Sequence, residues 1–359
     1  MLQLPSFLSD YTYQHDGSLI AYEPLKERTE SRLLLVRRNP TGGLPRFEDL
    51  LISDLPAVID QNPELKKYLL VRNRSKVLPA RFFARRATGR RHEIVLIEKL
   101  ADFEWRAFVK NVSKVKVPEK LTIENTEEQV EVLDNFTVRF FTPDVEALLQ
   151  QVGRMPLPPY IRREVSEEDT ERYQSVWAEG KALSSAAPTA SLHFTDELWQ
   201  SLKDLGVSTA DAYLHVGRGT FEPLRENELS KAVLHEEAFE VFNSELEKIQ
   251  NAESVFAIGT TACRLVESLA HLNSSEVDFL RITDRGSQAL KGHTRLFVKP
   301  GYEFQKVKAL LTNFHLPASS LLVLVSVFAE SWSLAKEAYD HALARKYRLF
   351  SYGDASLWI

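Results

Sequence analysis

The feature that most constrains the fold is a change of texture at Pro143. Before it, between residues 62 and 142, apolar residues come in short runs: Tyr68–Val71, Arg81–Ala84, Glu93–Ile97, Trp105–Val109, Lys120–Ile123, Val130–Leu133 and Thr137–Phe141. Many short strands at close spacing fold as a small barrel or sandwich. After Pro143 the pattern changes to helices alternating with strands. Asp144–Val152 and Thr195–Leu205 read as helices stopped by Gly153 and Gly206, and Asn243–Ala252 as a charged helix. Ala210–Val216 reads as a strand, and Ser254–Ile258 as a strand feeding the helix Ala262–His271. Leu321–Ala329 and Leu334–Lys346 are helical, and Leu33–Arg37 supplies an early strand. Such alternation packs as layers of helix on sheet. At 359 residues the chain exceeds what one core usually holds. The expectation is an α/β layered domain built from residues 1–61 and 143–359, with a small all-β barrel domain inserted at 62–142. Asn273–Arg285 reads as a polar loop or short excursion.

Net charge is −5, so any polyanion site must be a local patch. The one cysteine, Cys263, excludes an intramolecular disulfide and a multi-Cys zinc site, which suits a reducing cytoplasm. Met1–Asp10 carries acid and lacks a long apolar run, unlike a signal peptide, and Leu321–Ala329 is too short to span a bilayer. A cytoplasmic monomer with no membrane partner is expected. His235-Glu-Glu237 lacks the spacing of a zinc helix and no GxSxG elbow occurs, so neither a metal nor a serine hydrolase is expected.

Seven segments carry chemistry. Between Arg72 and Arg91 stand eight cations (Arg72, Arg74, Lys76, Arg81, Arg85, Arg86, Arg90 and Arg91) and no acid. On strands these would form a cationic face for phosphates, or a merely solvated one. Met155-Pro-Leu-Pro-Pro-Tyr-Ile161 is rigid and extended, a linker or one wall of a cleft. Ala186-Ala-Pro-Thr-Ala-Ser-Leu-His-Phe-Thr195 combines small residues with Thr189 and His193, and Thr195 fits a helix N-cap. Leu214-His-Val-Gly-Arg-Gly-Thr-Phe221 places Gly217 and Gly219 after a strand, for a ligand or a plain turn. Ala257-Ile-Gly-Thr-Thr-Ala262 ends a strand at Gly259 and opens a helix whose N–H groups suit an anion. Leu311-Thr-Asn-Phe-His-Leu-Pro317 puts Asn313 and His315 where α/β sheets usually hold ligands. Phe350-Ser-Tyr-Gly-Asp-Ala355 offers Asp354 as a counter-charge or base, or only a surface turn.

In order, these segments resemble one family, the S-adenosylmethionine:tRNA ribosyltransferase-isomerases of queuosine synthesis. Ala-Ala-Pro-Thr-Ala, Leu-His-Phe-Thr, Thr-Asn-Phe-His-Leu-Pro and Tyr-Gly-Asp-Ala carry the resemblance, together with Asn73-x-Ser-x-Val-x-Pro-Ala-Arg81 and Arg172-Tyr-Gln-Ser-Val. The resemblance implies an α/β domain with an inserted β-barrel. It implies a reaction in which the ribosyl part of S-adenosylmethionine joins the aminomethyl-deazaguanine wobble base of a tRNA. Epoxyqueuosine-tRNA forms, adenine and methionine leave, and no metal takes part. A base must remove the proton beside the sulfonium, with His193, His215, His315 and Asp354 as candidates. Phe194, Phe221 and Tyr352 are candidates to stack on adenine or face the sulfonium. Thr189, Gly217, Gly219, Thr220, Gly259, Thr260, Thr261 and Asn313 complete the expected cofactor pocket, and the Arg72–Arg91 run is expected to grip the anticodon stem. Arg74, Leu183, Ser191, Arg218 and Ala232 depart from the family's pattern, and Ser191 and Arg218 add bulk where close backbone approach is expected. The competing reading is a non-catalytic RNA- or nucleotide-binding protein on the same scaffold.

Overall fold

A computed structural model describes residues 4–180, 182–217, 224, 226–272, 277–284 and 287–359. In chain order the strands are β1 (Arg32–Val36), β2 (Phe47–Leu51), β3 (Leu69–Asn73), β4 (Lys76–Val77), β5 (Arg81–Arg85), β6 (Arg91–Lys99), β7 (Glu104–Val109), β8 (Glu119–Ile123), β9 (Gln129–Val132) and β10 (Thr137–Phe140). There follow β11 (Ala182–Ser184), β12 (Thr209–Leu214), β13 (Glu237–Phe242), β14 (Val255–Ile258), β15 (Val277–Asp284), β16 (Ser287–Thr294), β17 (Val307–Asn313) and β18 (Ala355–Trp358). Ten of them form one sheet in the order β15-β16-β13-β12-β3-β14-β17-β18-β1-β2. Its centre, β12-β3-β14-β17, is parallel.

β3 and β14 are buried along their whole length, as strands covered on both faces are, whereas β12 alternates buried and half-buried residues. In β1, Leu33 and Leu35 pack into one core while Leu34 and Val36 pack into the other, as the period of two demands. One face is covered by the helices Gly259–Ala270, Ser320–Phe328 and Trp332–Ala344, the other by Asp196–Asp204 and Leu55–Asp60. Ser319 and Thr195 cap two of these helices by accepting from Leu322 N–H and Leu198 N–H, 3.2 Å each.

Six strands close into a separate barrel, β10-β7-β6-β5-β8-β9, around Phe82, Trp105, Leu121, Val130 and Phe140. Closure leaves no edge to cover, and it explains the alternating exposure of β7 and β10. The layered α/β sheet with a small barrel agrees with the sequence. The boundary expected at residue 62 does not. Pro63–Lys67 is a helix, β3 sits in the middle of the large sheet, β4 pairs with β11, and barrel strands run only from Arg81 to Phe140. The reason is that β3 is a short apolar run like its barrel neighbours, and periodicity alone cannot say which sheet it joins. The polar loop expected at 273–285 is corrected too. Val277–Asp284 is an outer strand paired antiparallel to β16.

The chain enters and leaves the barrel at one seam. Arg81 and Arg154 exchange backbone hydrogen bonds (3.2 and 2.7 Å). Beside them Gly153 lies so close to Pro79 that a Cβ would sit 2.0 Å from the Pro79 carbonyl oxygen.

Candidate functional site

Because β12, β3, β14 and β17 are parallel, their carboxyl ends emerge at one edge of the sheet, the place where such sheets bind ligands. β18 runs antiparallel to β17, so the segment before it returns to the same edge, with Ala355 opposite Asn313. A cleft opens there.

One wall is the start of the helix Gly259–Ala270. Its N-cap, Ile258, supplies no side-chain acceptor, so the first N–H groups and the helix dipole face the cleft uncapped. Gly259 has φ +90° and would bring a Cβ within 3.4 Å of Ala190, so glycine lets the strand turn directly into the helix. Thr261 Oγ1 is buried without a protein partner.

A second wall is the end of β17 and the turn after it. Asn313 is 2% exposed. Its Nδ2 donates to Phe350 O (3.1 Å) and to His193 Nε2 (3.2 Å), which uses both amide hydrogens and leaves Oδ1 buried and unpartnered. His315 Nε2 pairs with Thr312 Oγ1 at 2.8 Å, and the His315 backbone N–H donates to Tyr339 Oη at 3.0 Å. Burial pushes the His315 imidazole down to about 3. His193 is pushed to about 4, first by burial and then by the nearby Arg28 and Arg348. Both are neutral at pH 7.

The third wall is aromatic. Tyr160 and Phe350 rings lie 5.0 Å apart, and Tyr160 Oη is hydrogen-bonded to Ser351 Oγ and accepts from Ser351 N–H at 3.1 Å. Phe350 takes φ +71°, an uncommon conformation for an aromatic residue, held by the tight turn that follows. Gly353 makes that turn possible: a Cβ would lie 2.5 Å from Arg348 O. Asp354 closes it, accepting from Arg348 N–H (2.7 Å) and Arg32 N–H (2.9 Å).

The cleft is therefore lined by Thr189, Gly259, Thr260, Thr261, Asn313 and His315 among the sequence candidates, with His193 directly behind Asn313. Other candidates lie elsewhere. Phe194 is fully buried against Trp177 and Trp199, a core aromatic rather than a stacking face. Tyr352 donates to Asp169 Oδ1 (2.8 Å) in a small core with Tyr173. Both oxygens of Asp354 are engaged by backbone N–H groups, so it ties the loop down instead of facing the cleft. His215 and Gly217 line a separate cavity toward the barrel. Gly219, Thr220 and Phe221, with Arg218, lie outside the described residues. Tyr160, Phe314, Phe350 and Ser351 line the cleft and were not picked out from the sequence. The proline cluster next to Tyr160 was the available signal.

The arginine run does not form a free cationic face. Arg72 is buried between Trp177 and Trp199 (4.8 and 4.1 Å) and bonded to Asp211 (2.6 Å), which also binds Arg74 (2.7 Å). Arg81 pairs with Glu93, Arg85 and Arg91 with Glu124, and Arg86 with Glu119, all at 2.7–3.0 Å. The acids come from later barrel strands, invisible in a window that contains none. Lys76 is partly buried in β4, and Arg90 is exposed at a turn. The Asn73 and Ser75 side chains instead extend the pairing of β3 with β12, both meeting Leu214.

A layered α/β sheet with a side barrel and a cleft at its carboxyl edge defines the class. Residues 8–358 match the family described as queuosine biosynthesis protein, and the chain belongs to that family. Among relatives, proteins named S-adenosylmethionine:tRNA ribosyltransferase-isomerase from Thermotoga petrophila and Polynucleobacter asymbioticus are 39% and 41% identical, the alignments covering 98% and 97% of this chain and 99% and 96% of theirs. The crystal structure of S-adenosylmethionine tRNA ribosyltransferase from Thermotoga maritima is similar with a TM-score of 0.52 at 30% identity, covering 98% of this chain and all of that one.

Proposed function

We propose that the chain is an S-adenosylmethionine-dependent tRNA ribosyltransferase-isomerase of queuosine synthesis, acting as a monomer in a reducing cytoplasm. It transfers and isomerises the ribosyl moiety onto the aminomethyl-deazaguanine wobble base, giving epoxyqueuosine-tRNA and releasing adenine and methionine. The observation that carries this reading is the pair of buried, unpartnered oxygens, Thr261 Oγ1 and Asn313 Oδ1, beside an uncapped helix start. Buried polar atoms are seldom left unpaired, and these two stand together on the walls of one cleft.

In this reading the Gly259–Thr261 N–H groups hold the methionine carboxylate. Thr261 and Asn313 take polar groups of the ribose and adenine, and Tyr160 and Phe350 face the base and the sulfonium. His315 is the imidazole on the cleft and, being neutral, takes the proton from the carbon beside the sulfonium. His193 is a positioning residue acting through Asn313. In this reading the sulfonium's own positive charge acidifies the neighbouring carbon. Incubation with precursor-bearing tRNA and S-adenosylmethionine, followed by chromatography and mass analysis of the tRNA base, tests it. The reading is lost if neither adenine nor methionine appears above background.

A further inference from the structure

A second cavity lies where the barrel meets the large sheet. From the barrel come Lys99, Trp105, Arg106 and Phe136; from the sheet come His215, Val216 and Gly217. Three features set it apart from an ordinary crevice. Phe136, on the turn before β10, is 66% exposed, the highest value among the large barrel hydrophobics. Trp105 Nε1 and His215 Nδ1, on two residues lining this one cavity, are buried and have no partner. Val216 also lines the cleft described above, so the two spaces adjoin.

A flat aromatic face in solvent, with an unmet donor and a second unmet ring nitrogen beyond it, is what an unstacked nucleobase requires: a surface to stack on and partners for its edge. His215 is held neutral by burial and by Lys291, its imidazole pushed to about 4, so it meets a base edge without a charge to neutralise. Arg106 is paired with Glu98 (3.0 Å) and Lys99 with Asp102 (3.4 Å), but both pairs are exposed and weak enough to give way to a phosphate. Glu98 and Glu236 also line the cavity, so stacking and edge recognition outweigh charge here.

We propose that this barrel–sheet cavity binds an unstacked nucleotide of a single-stranded RNA loop, with Phe136 as the stacking face and Trp105 and His215 reading the base edge. This rests on the proposed tRNA substrate and places the loop nucleotides next to the reacting one, whose path to the cleft passes Val216.

The test measures binding of the full chain to a labelled hairpin RNA with a single-stranded loop, to a fully paired duplex of equal length, and to GMP as a free-nucleotide competitor. The hairpin is expected to bind more tightly than the duplex. Phe136→Ala should weaken the hairpin by about 5- to 150-fold with the slope of log K against log salt unchanged, because a stack and not a phosphate contact is lost. Trp105→Phe, which keeps an aromatic ring and removes the indole N–H, should weaken it by about 2- to 10-fold. Affinity for S-adenosylmethionine alone should be unaltered in both variants. Hairpin and duplex binding alike, wild-type affinity in both variants, or displacement of the hairpin by GMP at equal concentration would each overturn the proposal. If wild type turns over and Phe136→Ala leaves hairpin affinity and KM for tRNA intact, this site falls and the enzymatic reading stands. If Phe136-dependent hairpin binding occurs without adenine release, the reverse holds.

Discussion

Asp354 accepts two backbone N–H groups from strands and loops far apart in the chain, and Gly353 lets the loop fold tightly enough for it to do so. Asp354→Asn offers one acceptor and sets an NH2 against the other N–H, so a loss of about 1–3 kcal/mol is expected in urea denaturation; an unmoved midpoint would refute the role. The sequence flagged this aspartate as polar and positioned near the end but could not name its partners, because Arg32 lies more than three hundred residues earlier. The histidines are a second residue-scale case. His193, His215 and His315 fall from 6.5 to about 4, 4 and 3. As pH drops below about 6.5 the unfolded chain gains protons on these rings that the folded chain refuses until about pH 4, so stability declines with falling pH. The slope is ~1.4 kcal/mol per pH unit for each ring, and His315→Asn should flatten it in denaturation at pH 7, 6 and 5. Their imidazoles were visible in the sequence, but their burial was not.

The junction of β14 with the helix Gly259–Ala270 was legible because strand, glycine and helix are contiguous, so no long-range information was needed. Its function is separable from its stability. Thr261→Val keeps the shape and removes a hydroxyl that bonds nothing in the protein. The melting temperature should hold or rise, while calorimetry should show S-adenosylmethionine binding weakened about 2- to 10-fold. Equal affinity would remove Thr261 from the site. Gly259→Ala should do the opposite as well, costing about 1 kcal/mol or more of stability, since φ +90° strains any side chain. The aromatic wall was less legible. Tyr160, Phe314 and Phe350 come from three elements that meet only once the sheet is built, and an isolated aromatic in sequence reads as core.

For the whole molecule, the layered sheet and the barrel could be foreseen, since each has its own period, whereas the membership of β3 and the fate of the arginine run depend on three-dimensional neighbours. Arg72, locked between two tryptophans, should contribute to stability and not to RNA affinity. Arg72→Ala is expected to cost about 3 kcal/mol by leaving Asp211 with one partner fewer. Arg90→Glu should leave the fold intact and, if phosphate is contacted there, lower the salt slope of tRNA binding by about one. A reduced slope in the Arg72 variant, measured well below its melting temperature, would show that the buried pair opens to RNA.

The seam at Pro79, Arg81, Gly153 and Arg154 bears on assembly. To the large sheet, the intervening chain is an excursion of roughly 75 residues whose ends must be brought together, and loop closure becomes costlier with length. A β-barrel that condenses around its own Phe82 and Phe140 delivers those ends already side by side. The host then joins β3 to the rest of its sheet across what is, entropically, a hairpin, saving on the order of 2–3 kcal/mol of search that an uncollapsed excursion would demand.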